Sequence, residues 1–309
     1  MKVFYDNLTK KIKLKPKPSV ITIGVFDGIH LGHKVILDKL KFYSKKQNLI
    51  SVVFTFDIPP KLFLKKINGY IIDIEDKINF FKDFSIDYIW FFKTTQYFLN
   101  LSKEEFLFYI MKYFFIKKII VGEDFKFAKN GEGNIDYLRN IAKRNNFKLV
   151  IVKKKKIDNK IISSSILRNF ILNGDIENIK KFLGRDYCIK GIVYKDKGIG
   201  KKIGFPTANI TPYNYLIPKK GVYAAMVEIS KVRYLSAVNI GNRPTVNFSK
   251  NVKIETHIIN FNKDIVNKEI KIYFLERLRD EKKFSDIDKL KNAIKKDIDY
   301  IIKKYTYKI

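Results

Sequence analysis

What most restricts the fold of this chain is a change of rhythm along it. From residue 19 to about 160, short apolar runs alternate with amphipathic stretches of helical period. "SVITIGV", "LISVVFTF", "IDYIWFF", "KKIIV" and "FKLVIV" are continuous, β-branched or aromatic runs, the pattern of strands buried on both faces. Between them lie "LGHKVILDKLKFYSKK", "DIEDKINFFKDF" and "SKEEFLFYIMKYFF". The last is opened by Ser102 with Glu105 three residues on, a capping box. Such alternation predicts a parallel sheet with helices on both faces. Two helical stretches follow, "SSSILRNFILNG" and "DIENIKKFLG". After Gly184 the alternation stops. "YCIKGIVYK", "GVYAAMVEIS", "RYLSAVNIG", "KIETHIINF" and "EIKIYFLERL" come one after another, and "SDIDKLKNAIKKDIDYIIKKY" ends the chain as a helix. The expectation is an α/β domain over 1–184 and an antiparallel β-barrel with a C-terminal helix over 185–309.

Composition narrows the functional classes. At 46% hydrophobic and 15% aromatic residues, the 309-residue chain buries a real core and is not disordered. No apolar run is long enough to span a bilayer, and the first twenty residues lack the apolar region of a secretory leader. One cysteine, Cys188, excludes an internal disulfide and a cysteine-built metal site, which fits a cytoplasmic protein. The net charge of +31 suggests a polyanion partner, but only eight of the 62 basic residues are Arg. Nucleic-acid readers favour Arg, whose fork pairs bidentately with phosphate and guanine. Lysines spread along the whole chain read as solvated surface and compositional bias, so neither a nucleic-acid nor a membrane partner is expected.

The first chemical signal is "GVFDGIHLGH", residues 24–33, just past the first buried strand. Open α/β sheets bind ligands beyond the carboxyl ends of strands, where helix N-termini present free N–H groups. Gly24, Gly28 and Gly32 allow tight turns and close approach of backbone to a phosphate. His30 and His33, at i and i+3, are placed to hydrogen-bond phosphate oxygens and to stabilise charge growing on a leaving group. The simpler alternative is that one histidine caps the helix and the other packs. Two histidines alone are too few for a metal site. The P-loop and GxGxxG fingerprints are absent.

This stretch resembles the HxGH signature of the nucleotidyltransferases, in the longer form GxFDGxHxGH of bacterial bifunctional riboflavin kinase/FAD synthetases. It matches at Gly24, Phe26, Asp27, Gly28, His30, Gly32 and His33. Further stretches resemble the same family in order: "VVFTFD" (52–57), "VGEDFKFAKNGEGN" (121–134) and "ISSSILR" (162–168). The resemblance implies a Rossmann-like N-terminal domain in which Gly24, Phe26, Asp27, Gly28, His30, His33, Ser164, Ser165 and Arg168 bind ATP. Hydroxyls at a helix start with one guanidinium do make a phosphate clamp, while serine there is also a plain N-cap. The chain departs from the family twice. Pro59 replaces the histidine of FDPHP, and Ala128 replaces the glycine of FxFG, where a positive φ could be needed.

The second signal is "GIGKKIGFPTANI", residues 198–210, which resembles the flavokinase motif ending in GFPTAN. Phosphoryl transfer needs phosphate charge neutralised, Mg²⁺ on hard oxygen ligands and a base at the hydroxyl. The resemblance assigns Gly198, Gly204, Pro206, Thr207 and Asn209 to flavin and ATP binding, with Thr207 and Asn209 on Mg²⁺. On residues alone, "FPTAN" also reads as a turn. "KIETHIINF" resembles the VETHxxxF strand and implies Glu255 as the catalytic base; by itself Glu255 is an ordinary exposed strand residue. "NIGNRPTV" resembles NxGxRPTF, with Val246 for Phe, and leaves Arg243 either structural or near ligand. "LRDEKKF" resembles LRxExKF and brings Arg279 toward a phosphate. The resemblance covers about residues 19–290. It implies ATP-dependent phosphorylation of riboflavin to FMN by the C-terminal domain and adenylylation of FMN to FAD by the N-terminal one, with Mg²⁺ as cofactor and ATP as co-substrate. The alternative is a riboflavin kinase whose N-terminal activity has decayed.

Overall fold

The structure is a computed structural model that describes residues 1–6, 8, 14–195, 200, 203–242 and 252–308. The chain divides into two compact units, Met1–Ser164 and Ser165–Ile309.

In the first unit a six-stranded sheet has the order β1-β4-β3-β2-β5-β6, every neighbouring pair parallel. Its strands are β1 (Lys2–Asp6), β2 (Pro18–Ile23), β3 (Ile50–Phe56), β4 (Tyr88–Phe92), β5 (Phe115–Gly122) and β6 (Lys148–Val152). The helices are α1 (Leu31–Gln47), α2 (Pro60–Phe63), α3 (Ile74–Asp83), α4 (Gln96–Leu99), α5 (Lys103–Tyr113) and α6 (Ile135–Arg144). Because strand side chains alternate, each run fills two cores. Ile21, Ile23, Val52, Phe54, Trp90 and Phe92 pack with α5 and α6 on one face. Val20, Val53, Ile89 and Phe91 pack with α1 and α3 on the other. That two-sided burial is why these strands read as unbroken apolar runs. The capping box expected at Ser102 and Glu105 is present. From β2 the chain builds outward through β3 and β4 on one side and resumes with β5 on the other, so the order reverses beside β2. The "GVFDGIHLGH" loop leaves the carboxyl end of β2 at that reversal. A two-residue turn at Asp158 and Asn159, both at positive φ, joins a short hairpin of β7 (Lys156–Ile157) and β8 (Lys160–Ile161).

The second unit takes α7 (Ser164–Asn173) from Ser165 onward, followed by α8 (Ile176–Leu183). A closed antiparallel barrel follows, in the order β10-β13-β12-β11-β14-β9. Its strands are β9 (Tyr187–Tyr194), β10 (Ala208–Pro212), β11 (Gly221–Ile229), β12 (Val232–Asn242), β13 (Val252–Ile258) and β14 (Glu269–Arg279). Tyr223, Val227, Val238, Ile254, Ile272 and Phe274 are fully buried. The last helix, α9 (Ile287–Tyr305), lays Ile298, Ile301 and Tyr305 against Ala224, Met226 and Leu235. The fold class is as expected. Four strands were not: β1, the hairpin strands β7 and β8, and β10, which begins inside the "FPTAN" stretch that on residues alone also reads as a turn.

Candidate active sites

In the first unit, the loop between β2 and α1 uses backbone that few residues adopt. Phe26 (φ 50°), Gly28 (φ 86°) and Ile29 (φ 40°) are all left-handed. For a β-branched residue such as Ile29 this costs on the order of 1–3 kcal/mol and persists only when the surroundings enforce it. Here they do. The buried Asp27 accepts the Ile71 N–H at 3.0 Å, and its carbonyl accepts from Ser164 Oγ at 2.9 Å. Thr55 Oγ1 and Lys77 Nζ both donate to the Val25 carbonyl, at 3.1 and 3.2 Å. The Gly24 N–H donates to the Phe54 carbonyl at 3.0 Å.

His30 is 5% exposed and caps α1: its Nδ1 accepts the His33 N–H at 3.2 Å. In the neutral ring the proton is therefore on Nε2. The His33 ring stacks on His30 with centroids 3.6 Å apart and meets Phe26 edge-on at 5.1 Å. A Cβ at Gly32 would stand 3.1 Å from the His30 ring, so this glycine leaves room for the stack. Capping and packing are thus real, and they fix the two imidazoles as one rigid pair. Ser164 belongs to the first unit, while the exposed Ser165 and the buried Arg168 lie on α7 in the second.

Lys77 was not singled out from the sequence. It is 2% exposed, and its ammonium donates to the carbonyls of Val25 (3.2 Å) and Phe56 (3.5 Å), the ends of two site-forming segments. Burial pushes its pKa down to about 8, against the upward pull of Asp27, Asp57 and Asp73. The available signal was a lysine standing in the apolar stripe Ile74–Ile78–Phe81 of α3. Ala128 keeps a glycine-type backbone, φ 64° and ψ −172°. At the other departure, Pro59 precedes α2 and Pro60 occupies its first turn, where a missing N–H costs nothing.

In the second unit the motifs of three distant stretches meet. Residue Asn209 on β10 stands opposite Glu255 on β13 in antiparallel register, so both side chains lie on one face of the barrel wall. Glu255 pairs with Lys253 at 2.8 Å. His257 Nδ1 lies 2.8 Å from the Pro206 carbonyl and so fastens the turn that carries Thr207. The Gly200 position must stay bare, because a Cβ there would fall on the Phe205 carbonyl and 3.0 Å from Thr207 Oγ1. Thr207 lines two cavities. One, of about 330 Å³, includes Phe205, Asn239, Glu255, Arg279, Glu281 and Phe284 in its wall. The other, of about 220 Å³, includes Tyr194, Asn209, Thr256, Phe261 and Lys263.

Arg279 is held by Asp297 of α9, with Nε at 3.1 Å and Nη2 at 2.8 Å from one carboxylate oxygen. Glu281, also not singled out, accepts from Asn239 Nδ2 at 3.4 Å, and a Cβ at Gly241 would overlap its carboxylate. The glycine of "NIGNRPT" and the glutamate of "LRDEKKF" therefore explain each other. Gly198 and Arg243 lie outside the described residues. Gly204 is exposed at φ 89°.

The residues present fit Mg²⁺. Asn209 Oδ1 is buried with no hydrogen-bond partner among the described residues, a hard oxygen left for a ligand. Thr207 lines the same smaller cavity, and the bare Gly200 position leaves its hydroxyl clear. No cluster of three His, Cys, Asp or Glu suited to a metal occurs among the described residues. Two neutral oxygens alone suit a cation that completes its shell with phosphate and water, as Mg²⁺ does.

Comparison with known proteins agrees with this two-site layout. The FAD synthetase family model matches residues 12–166, and the riboflavin kinase model matches 183–305. The bifunctional riboflavin kinase/FMN adenylyltransferase of Buchnera aphidicola subsp. Schizaphis graminum is 36% identical over 93% of this chain and 94% of its own length. The protein of that name from Bacillus subtilis is 33% identical over 93% and 92%. The crystal structure of a macrolide-efflux protein from Streptococcus pneumoniae matches with a TM-score of 0.87 at 28% identity, over 96% of this chain and 97% of that one. Among the described residues no helix is long and apolar enough to cross a membrane. With an FAD synthetase domain and a riboflavin kinase domain on one polypeptide, this chain is a transferase of the bifunctional riboflavin kinase/FMN adenylyltransferase family.

Proposed function

We propose that residues 185–309 transfer the γ-phosphoryl group of ATP to the ribityl 5′-hydroxyl of riboflavin, and that residues 1–184 join the FMN so formed to the adenylyl group of a second ATP. The observation that carries the kinase half is the meeting of two distant motifs: Asn209 stands opposite Glu255, and Thr207 lines one cavity with Asn209 and another with Glu255. Thr207 and Asn209 would hold Mg²⁺, which draws charge from the phosphates when bound. Glu255 takes the proton of the 5′-hydroxyl as its oxygen bonds to the γ-phosphorus and ADP leaves. The larger cavity, walled by Phe205 and Phe284, suits the flat flavin, and the smaller one suits the nucleotide.

In the adenylyl transfer, a phosphate oxygen of FMN attacks the α-phosphorus of ATP and pyrophosphate departs. The rigid His30–His33 pair donates to the phosphate oxygens as negative charge moves to the leaving group. Ser164, Ser165 and Arg168 serve as further phosphate donors. The backbone of Gly24, Phe26, Asp27 and Gly28 shapes the cradle. The enzyme works in the cytoplasm on riboflavin, FMN, FAD and ATP, with no nucleic-acid or membrane partner.

The test is the purified chain with riboflavin, ATP and Mg²⁺, its flavins separated over time. FMN followed by FAD is expected. Glu255→Gln lowers FMN formation by about 10²–10⁴-fold while FAD still forms from added FMN. His33→Ala abolishes FAD formation and leaves FMN formation intact. FMN that accumulates in the native protein without FAD would reduce the reading to a kinase alone, and neither product would overturn it.

A further inference from the structure

At the amino ends of β5 and β6 the first unit carries a concentration of positive charge that neither reaction uses. An open cavity of about 880 Å³ is lined there by Lys117, Lys118, Arg139, Lys143 and Lys148, with Asp136 as its one acid. That acid is taken up by Arg139 at 2.7 Å. None of the four lysines makes an ion pair among the described residues.

Lys118 is the informative member. It is 6% exposed, yet among the described residues its ammonium meets only the Tyr43 ring, at 5.1 Å. It stands in register with Lys148 on the neighbouring parallel strand, so the two side chains share one face. Like charges placed side by side on a sheet destabilise it. Burial and the Lys148 charge both push the Lys118 pKa down. Lys143 approaches from the last turn of α6, one turn after Arg139. A buried lysine beside exposed like charges, with the one acid of the cavity already paired to Arg139, is at odds with a chain that could have placed any apolar residue at position 118. It makes sense as a receptor for an anion.

We propose that this cavity is a second anion site, which takes a small oligophosphate of three or more negative charges. Its volume is within the 300–1,000 Å³ typical of small-molecule sites. Lysine ammonium groups are point donors suited to phosphate oxygens. The site is separate from the adenylyl-transfer loop. That loop leaves the carboxyl end of β2, whereas Lys118 is near the amino end of the adjacent parallel strand β5, about 13 Å before its end by strand rise.

The test compares the native full chain with the double variant Lys118→Met, Lys148→Gln, using inorganic tripolyphosphate without Mg²⁺. Tripolyphosphate also enters the ATP sites, so the difference between the two proteins is the readout. Calorimetric titration is expected to show one more binding equivalent in the native chain, and the anion to raise its melting temperature further than that of the variant. Without anion the variant melts at or above the native protein, and its FMN and FAD formation rates are unchanged. Equal equivalents and equal shifts in both proteins would overturn the proposal. So would affinity for single-stranded RNA that grows with oligomer length and exceeds that for tripolyphosphate, which would make the patch a nucleic-acid surface. If the double variant does not fold, Lys143→Gln with Lys148→Gln, both exposed, is expected to weaken tripolyphosphate binding to this site at least tenfold, and an unchanged affinity overturns the proposal.

Discussion

Single residues in this chain carry costs that their surroundings repay. Ala128, at φ 64° and ψ −172°, occupies a region open in practice only to glycine. Ala128→Gly is expected to stabilise the first unit by about 1 kcal/mol, strain relief exceeding the added freedom of the unfolded chain, read as a higher urea midpoint. Lys77 bears the opposite kind of cost. Its pKa falls from 10.5 unfolded to about 8 in the fold. The native state therefore releases its proton first as pH rises, and the unfolded state holds more protons between those values. Stability contributed by this group accordingly increases from about pH 8 to 10.5, by on the order of 3 kcal/mol in all. The difference in urea midpoint between native protein and Lys77→Met, followed from pH 7 to pH 10, should move in favour of the native chain. A difference that stays constant with pH would show that Lys77 is not held with a depressed pKa.

At the level of elements, the kinase cavity depends on how β14 and α9 are tied. The bidentate Arg279–Asp297 pair fixes the end of the strand to the helix, and both residues line the cavity. A lysine cannot reproduce the fork. Arg279→Lys is expected to raise the KM for riboflavin about tenfold, while FAD formation from supplied FMN stays unchanged. The fastening of Pro206 by His257 acts on the other wall. His257→Ala should loosen the Thr207 turn and raise the KM for Mg–ATP more than it lowers kcat; steady-state kinetics in each substrate separates the two effects.

For the whole molecule, the helices α7 and α8 decide where a cut is tolerated. The Lys219 N–H donates to the Ile171 carbonyl at 3.2 Å, and a Cβ at Gly174 would strike Arg277. Ile176, Ile179, Phe182 and Leu183 are buried. The chain divides into its two units between Ser164 and Ser165, whereas the family models leave 167–182 unmatched. A fragment 165–309 is therefore expected to melt several degrees above a fragment 185–309, which loses those four and the buried Leu167 and Ile171, apolar side chains worth about 1.5–3 kcal/mol each. Equal melting temperatures would assign both helices to chemistry rather than to support of the barrel.

The sequence by itself determined the rhythm of buried strands and amphipathic helices and the switch to consecutive strands after Gly184, and its motifs supplied most of the candidate residues considered at both sites. These are properties of local period and of short motifs, in which the interacting residues are close along the chain. Only the tertiary structure decided that "KVFYD" joins the sheet as an edge strand, held by Asp6 accepting from Trp90 Nε1 at 3.0 Å across 84 residues. The same holds for β10, which is short and ends in proline, and exists because β9 and β13 flank it. Glu281 and the facing pair Lys118–Lys148 were likewise hidden in sequence, where each reads as a solvated charge, and Lys77 showed there only as a lysine in an apolar stripe. Their meaning comes from what long-range packing buries them beside, and a periodicity carries no record of that.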